Sequence, residues 1–153
     1  MFLFVYGTLK SGLCNHHYTG QLKSLKPAWI YGRLYHLEQG YPALELPENL
    51  ILQQASNSTM KDADDSGTLI NNTSLPGGDW DKVYGELIEL ADPVKDLAKI
   101  DWLEDFECGR EDNLYLRQLI PVCCEGYWQS AWTYHYQLTH KGERLKQGFW
   151  PKI

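Results

Sequence analysis

Phe2 to Tyr6 form an unbroken apolar and aromatic run at the start of the chain, and it stops at Gly7. A half-buried strand alternates in polarity, whereas a run of this kind is what a strand covered on both faces presents. The chain has 153 residues, enough for one domain of ordinary size and not comfortably for two. Its 43% hydrophobic and 22% charged residues exclude wholesale disorder. The 6 Trp and 10 Tyr point to a core or a pocket walled by flat rings.

Further strands are expected over 28–37, with Gly32 marking a bend or bulge, over 83–90, and over 114–124 and 127–137. The last two flank Glu125-Gly126 and read as a hairpin. A short helix is expected within 15–25. Asp92-Pro93 opens the best helix: Asp caps its first amides, Pro is tolerated at its first position, and it should run to about Phe106. Between Gln53 and Asp81 the chain turns to Ser, Asn, Asp, Gly and Thr, with Pro76-Gly77-Gly78 near the end. So few apolar residues bury too little surface to offset ordering, so 53–81 reads as a flexible insertion in a single domain, 1–153. The tail residues Gly148-Phe149-Trp150-Pro151 should dock by their aromatic rings.

The net charge is −6 and the 14 Lys and Arg are scattered, so no basic patch for nucleic acid is expected. No apolar run reaches the length of a membrane span, and the short N-terminal run lacks the basic start of a signal peptide. Cys14, Cys108, Cys123 and Cys124 include no CxxC, and the adjacent pair points to opposite faces of a strand. Free thiols and a cytoplasmic location are expected.

Four features could carry chemistry. Leu97, Ile100 and Glu104 fall on one side of the Asp92 helix, so Glu104 points inward if that side faces the core. A carboxylate held there is desolvated and becomes a better base. Leu103 and Phe106 also permit a rotated helix, with Glu104 a solvated acid among Asp101, Asp105 and Glu107. The loop from Gly7 to Gly12 offers backbone N–H groups suited to a carboxylate or oxyanion, although such turns often only turn. Trp128, Trp132, Tyr134 and Tyr136 share a strand face; core packing explains the tryptophans, while Tyr134 is the better candidate for a pocket hydroxyl. Tyr115 and Arg117 share a face of the preceding strand. Cys14, His16 and His17 lack a second ligand pair at zinc spacing, and no GxSxG, GxGxxG or phosphate loop occurs.

VYGTLKSG after the first strand, then YPAL, VYGELIEL, and IDWLEDFE followed by YLR, resembles the gamma-glutamyl cyclotransferase-like family, which includes the γ-glutamylamine cyclotransferases. The resemblance runs from Val5 to about Tyr134, with 53–81 and the tail after His140 outside it. It implies an α+β fold, a small mostly antiparallel mixed β-barrel with a few packed helices. It also implies that Tyr6, Gly7, Thr8 and Leu9 hold the substrate's carboxylate end, that Glu104 is the catalytic general base, and that Tyr115 is a pocket tyrosine. A long EDFECGREDNL loop leaves Glu107 as a competitor, and helix phase favours Glu104. The implied reaction releases 5-oxoproline and a free amine from a small γ-glutamyl amide or peptide, with no metal or cofactor. Alternatives are a non-catalytic small-molecule-binding module of the same fold and a biosynthetic enzyme that trims another γ-glutamyl conjugate.

Overall fold

The computed structural model describes residues 1–71, 73–137, 139 and 142–151; residue 72 of the expected insertion lies outside them. In chain order the elements are β1 (Phe2–Val5), β2 (Leu22–His36), β3 (Pro42–Glu45), β4 (Gln53–Gln54), α1 (Thr59–Asp65), β5 (Leu69–Ile70), β6 (Asp81–Leu90), α2 (Pro93–Leu103), β7 (Tyr115–Cys124), β8 (Tyr127–Tyr136) and β9 (Glu143–Arg144). Where a helix was expected within 15–25, a short 3₁₀ turn spans His16–Thr19 and β2 already begins at Leu22.

Five strands close a mixed barrel in the order β2-β6-β1-β8-β7, and β7 returns to β2 where Cys123 faces Trp29. The pairings are antiparallel except β1 with β8, which run parallel through Leu3 and Trp132. The fold is α+β, as the resemblance implied. Gly32 is where β2 changes partner: Leu22–Gly32 pair with β6, and Arg33–His36 pair with β3. The only register shift along the β6 pairing lies between Leu22 and Ser24, away from Gly32. Gly85 of β6 is required by space, since a Cβ there would lie 2.2 Å from the Val5 carbonyl oxygen across the ladder.

The unbroken run of β1 now has its reason. Phe4 joins Ile30, Val83, Leu87, Ile120, Val122 and Ala131 in a core drawn from all five barrel strands. Leu3 and Val5 face the other way, into a second core with Ile88, Trp132 and the Leu97 and Ile100 side chains of α2. The tail docks as expected: Phe149 stacks on Tyr84 at 4.7 Å, and the buried Trp150 donates from Nε1 to His36 Nδ1 at 3.1 Å.

Asp92 caps α2, its Oδ1 accepting from the Lys95 amide at 3.1 Å, with Pro93 in the first turn. The helix ends at Leu103, earlier than Phe106. Asp105 takes a left-handed φ of 52°, its amide donates to the Trp102 carbonyl, and the Phe106 amide donates to the Asp101 carbonyl. This paired closure terminates a helix and turns the chain sharply.

The segment 53–81 departs from its expectation as an excursion outside the core. Gln53 and Gln54 pair with β7, and Leu69 and Ile70 pair with β8. Ser58 caps α1 by accepting from the Lys61 amide at 3.2 Å, and Asp62 of that helix is completely buried. Composition misled because this stretch is anchored by polar contacts rather than by apolar area. Its later part, 73–80, around the exposed Leu75, holds no helix or strand. The four cysteines are free, and no described helix is long and apolar enough to cross a membrane.

Candidate active site

A cavity of about 220 Å³ opens where the end of β1, the end of α2 and the start of β7 meet. Tyr6, Gly7, Thr8, Leu9, Glu104, Tyr115 and Tyr134, the residues singled out from the sequence, all line it. Asn15, Tyr41, Pro42, Leu103 and Leu114 complete the wall together with Phe4 and Val5.

The loop after β1 satisfies its carbonyls from within. Gly7 O accepts from the Lys10 amide at 3.1 Å, Thr8 O from the Asn15 amide at 3.0 Å, and Leu9 O lies 2.9 Å from His16 Nδ1. The Asn15 side chain also donates to Thr8 Oγ1 at 2.9 Å. Among the described residues, the amides of Gly7, Thr8 and Leu9 donate to no protein group. A loop with its acceptors used and its donors free is a nest for an anion. Gly7 is required by close approach, because a Cβ there would lie 2.7 Å from Pro42 Cγ on the opposite wall. Gly7→Ala should force loop and wall apart and destabilise the protein by about 1–3 kcal/mol, the usual cost of overpacking, which urea unfolding of the variant beside wild type checks.

Glu104 stands at the turn that closes α2, half-buried and on the cavity wall. The Leu97 and Ile100 face is fully packed in the core, which fixes the phase that aims Glu104 inward. Its carboxylate has no hydrogen bond or ion pair among the described residues. Burial first, and then the negative charge of Asp101, push its pKa up to about 7. Glu107 lies outside the cavity, exposed, with Oε2 3.9 Å from Arg110.

The tyrosines present rings to the cavity and commit their protons elsewhere. Tyr6 OH donates to the Tyr134 carbonyl at 2.5 Å, and Tyr115 OH to the Pro42 carbonyl at 2.5 Å. Tyr134 OH donates to Asp101 Oδ1 at 2.5 Å. Burial raises the pKa of all three, so they stay neutral while their oxygens remain able to accept.

Behind this wall lies a polar network that the sequence reading missed. Arg117 is buried; its Nη1 lies 2.9 Å from Asp62 Oδ2 and its Nε 3.0 Å from Asp101 Oδ1. Its guanidinium packs 5.3 Å from the ring centres of both Phe106 and Trp132. Asp62 also accepts from Ser56 Oγ at 2.7 Å, and its carbonyl accepts from Trp132 Nε1 at 2.7 Å. The i, i+3 spacing of Asp101 and Glu104 could have drawn attention to Asp101; nothing in the polar 53–81 composition marks Asp62. Among the described residues, no three His, Cys, Asp or Glu side chains gather as a metal site, and His16 is turned onto the Leu9 carbonyl.

The profile of the family described as "Gamma-glutamyl cyclotransferase, AIG2-like" matches residues 3–55 and 60–152. The chain belongs to that family. The match takes in most of 53–81 and the tail, both of which the sequence resemblance had left outside. No curated protein sequence gives a significant match. Among solved structures, the chain is similar to YkqA from Bacillus subtilis (22% identity, TM-score 0.55), covering 97% of this chain and 39% of that one. It therefore spans about two-fifths of the Bacillus protein. It is also similar to the uncharacterized PH0828 from Pyrococcus horikoshii (20% identity, TM-score 0.52, 97% and 88% covered). A third is an AIG2-like protein, ggact, from Mus musculus (22% identity, TM-score 0.53, 88% and 75% covered). At these identities the likeness establishes a shared fold.

Proposed function

We propose that the protein is a γ-glutamyl cyclotransferase that converts a small γ-glutamyl amide or peptide to 5-oxoproline and a free amine. The observation that carries this reading is an unpaired carboxylate, Glu104, with a pKa near 7, on the same small cavity as a loop of free amides at Gly7 to Leu9. A base and an anion cradle in one enclosure suit a zwitterionic amino acid.

The substrate's α-carboxylate lies on the loop amides, and the α-ammonium faces Glu104 and the accepting tyrosine oxygens. Glu104 removes a proton from the ammonium, freeing its lone pair. The amine attacks the γ-carbonyl of the same molecule, a C–N bond forms, and a five-membered ring closes. The carbonyl oxygen takes up negative charge, which N–H donors stabilise. When the tetrahedral centre collapses, the amide C–N bond breaks, the proton held by Glu104 passes to the departing amine, and Glu104, a carboxylate again, takes the second proton from the ring nitrogen to leave the lactam N–H. Attack within one molecule leaves the protein chiefly the task of holding the reactive rotamer. A cavity of about 220 Å³ fits a small metabolite.

The test is a 5-oxoproline release screen over γ-glutamyl dipeptides, γ-glutamyl-lysine, γ-glutamyl amines and glutathione. Release from at least one substrate supports the reading. Tight 5-oxoproline binding with no release from any of them favours a binding module instead. The proposed steps involve only protons and the substrate's own amine, so dialysis against a chelator should leave turnover unchanged; a strict metal requirement displaces this mechanism.

A further inference from the structure

Asp101 is the other carboxylate at the end of α2, three residues before Glu104 and so on nearly the same side of the helix. It is held from two directions. Its Oδ1 accepts from Arg117 Nε at 3.0 Å and from Tyr134 OH at 2.5 Å, while its Oδ2 lies 3.4 Å from Arg117 Nη2. Arg117 is in turn held by the fully buried Asp62, which Ser56 anchors through its amide and hydroxyl. Two carboxylates share one guanidinium; burial pushes the Asp101 pKa up, while the Arg117 charge and the Tyr134 hydroxyl act against that shift and favour its ionised form.

The groups that face Glu104 from the packed elements are few. They are Tyr6 after β1, Tyr115 of β7, Tyr134 of β8, and Asp101 on its own helix. The tyrosines are neutral. Among the described residues no Lys or Arg lines the cavity, and Arg117 is turned onto the two aspartates. Asp101 is therefore the charged neighbour that Glu104 feels.

We infer that Asp101, fixed by the Arg117–Asp62 pair and by Tyr134, is a positioning residue that governs how strongly Glu104 holds a proton. A carboxylate beside a second carboxylate is a stronger base, and once protonated it still gives the proton up readily to an amine. Arg117 limits the effect, since an unneutralised Asp101 would leave Glu104 protonated and idle near neutral pH. The segment 56–62 thereby reaches the reaction through charge rather than through contact with substrate. In its catalytic consequence this inference rests on the cyclotransferase reading; the coupling between the two carboxylates does not.

The test is direct titration of Glu104 by carboxyl-carbon NMR on ¹³C-glutamate-labelled full-length protein, with Glu104→Gln used to assign the signal. Wild type, Asp101→Asn and Asp101→Glu are compared, each first shown by thermal melting to be folded. The wild-type midpoint should lie near 7. Asp101→Asn keeps the shape and removes the charge, and should lower the midpoint by about one pH unit. Asp101→Glu should restore it. The acid limb of kcat/KM against pH should move in parallel, giving roughly fivefold higher relative activity one unit below the wild-type midpoint. A folded Asp101→Asn protein whose Glu104 midpoint stays within about 0.3 unit of wild type overturns the inference, as does a uniform loss of activity with no shift of the limb. If the midpoint moves but no γ-glutamyl compound is turned over, the coupling stands and the cyclotransferase reading fails.

Discussion

Glu104→Gln should slow turnover by about 10²–10⁴-fold, the usual cost of losing a proton-transfer group, while making the protein more stable above neutral pH. The second effect follows from the direction of the pKa shift. Glu104 is raised from 4.5 to about 7, so the folded state binds its proton more tightly than the unfolded chain does. Below about pH 4.5 both states are protonated and Glu104 costs nothing. Between there and about 7 the unfolded chain gives up the proton first, and stability falls as pH rises. Above about 7 the full cost of an ionised, desolvated carboxylate is present, about 2–3 kcal/mol once water in the cavity is allowed for. Gln has the same shape and no charge to desolvate, so the variant recovers that amount at pH 8 and nothing at pH 4. Urea melts at the two pH values, beside a 5-oxoproline assay, check both effects. Wild-type kcat/KM should rise with pH through about 7 as Glu104 ionises, and Glu107→Gln, altering an exposed side chain, should leave it intact. Equal stability of Glu104→Gln and wild type at pH 8 would mean that the carboxylate is well solvated, and the case for it as the base would lose its physical ground.

Part of the candidate site was legible in the sequence, for local reasons. Glu104 could be named because one of two helix phases sets it beside Leu97 and Ile100 and the family resemblance selects that phase; the structure buries Leu97 and Ile100 and puts Glu104 on the cavity wall. The loop from Tyr6 to Leu9 could be named because a glycine ends a strand covered on both faces and its YGTL run matches the family resemblance. The barrel strands β6, β7 and β8 announced themselves by apolar content and by the Glu125-Gly126 turn between two of them. What could not be read is whatever depends on long-range polar pairing. Asp62 meets Arg117 across 55 positions of sequence, and an aspartate beside Asp64 and Asp65 gives no sign that it alone is completely buried. The commitment of the three tyrosine hydroxyls is equally non-local, since each finds its acceptor on another element. The end of α2 was misjudged because a left-handed Asp105 is open to a residue whose short polar side chain tolerates that conformation, and neither a Gly nor a Pro was there to mark it.

Asp62→Ala should destabilise the protein by about 3–5 kcal/mol, although it lies in the stretch whose composition looks least structural. The cost has a specific source. Asp62 is 0% exposed and Arg117 3% exposed, so deleting the carboxylate strands part of a buried guanidinium that water cannot reach. Arg117 keeps Asp101, which holds the loss below that of an isolated buried charge, but the Ser56 amide and hydroxyl lose their acceptor as well. Two such losses within one network exceed anything expected from a surface loop. In a chain of this size the change corresponds to a drop in Tm on the order of 10 °C. Removing Ser74, Leu75 and Pro76 is the matching control. These residues lie outside helices and strands, Leu75 is 74% exposed, and shortening a loop changes closure entropy by well under about 1 kcal/mol. Differential scanning calorimetry on the two variants separates the halves of 53–81. A large loss for Asp62→Ala with little change for the shortened loop means that the first half is part of the fold and the second a passenger on it. Near-wild-type stability of Asp62→Ala would mean that the Arg117 charge is satisfied by Asp101 alone, and that residues 56–62 could be exchanged without disturbing the wall behind Glu104.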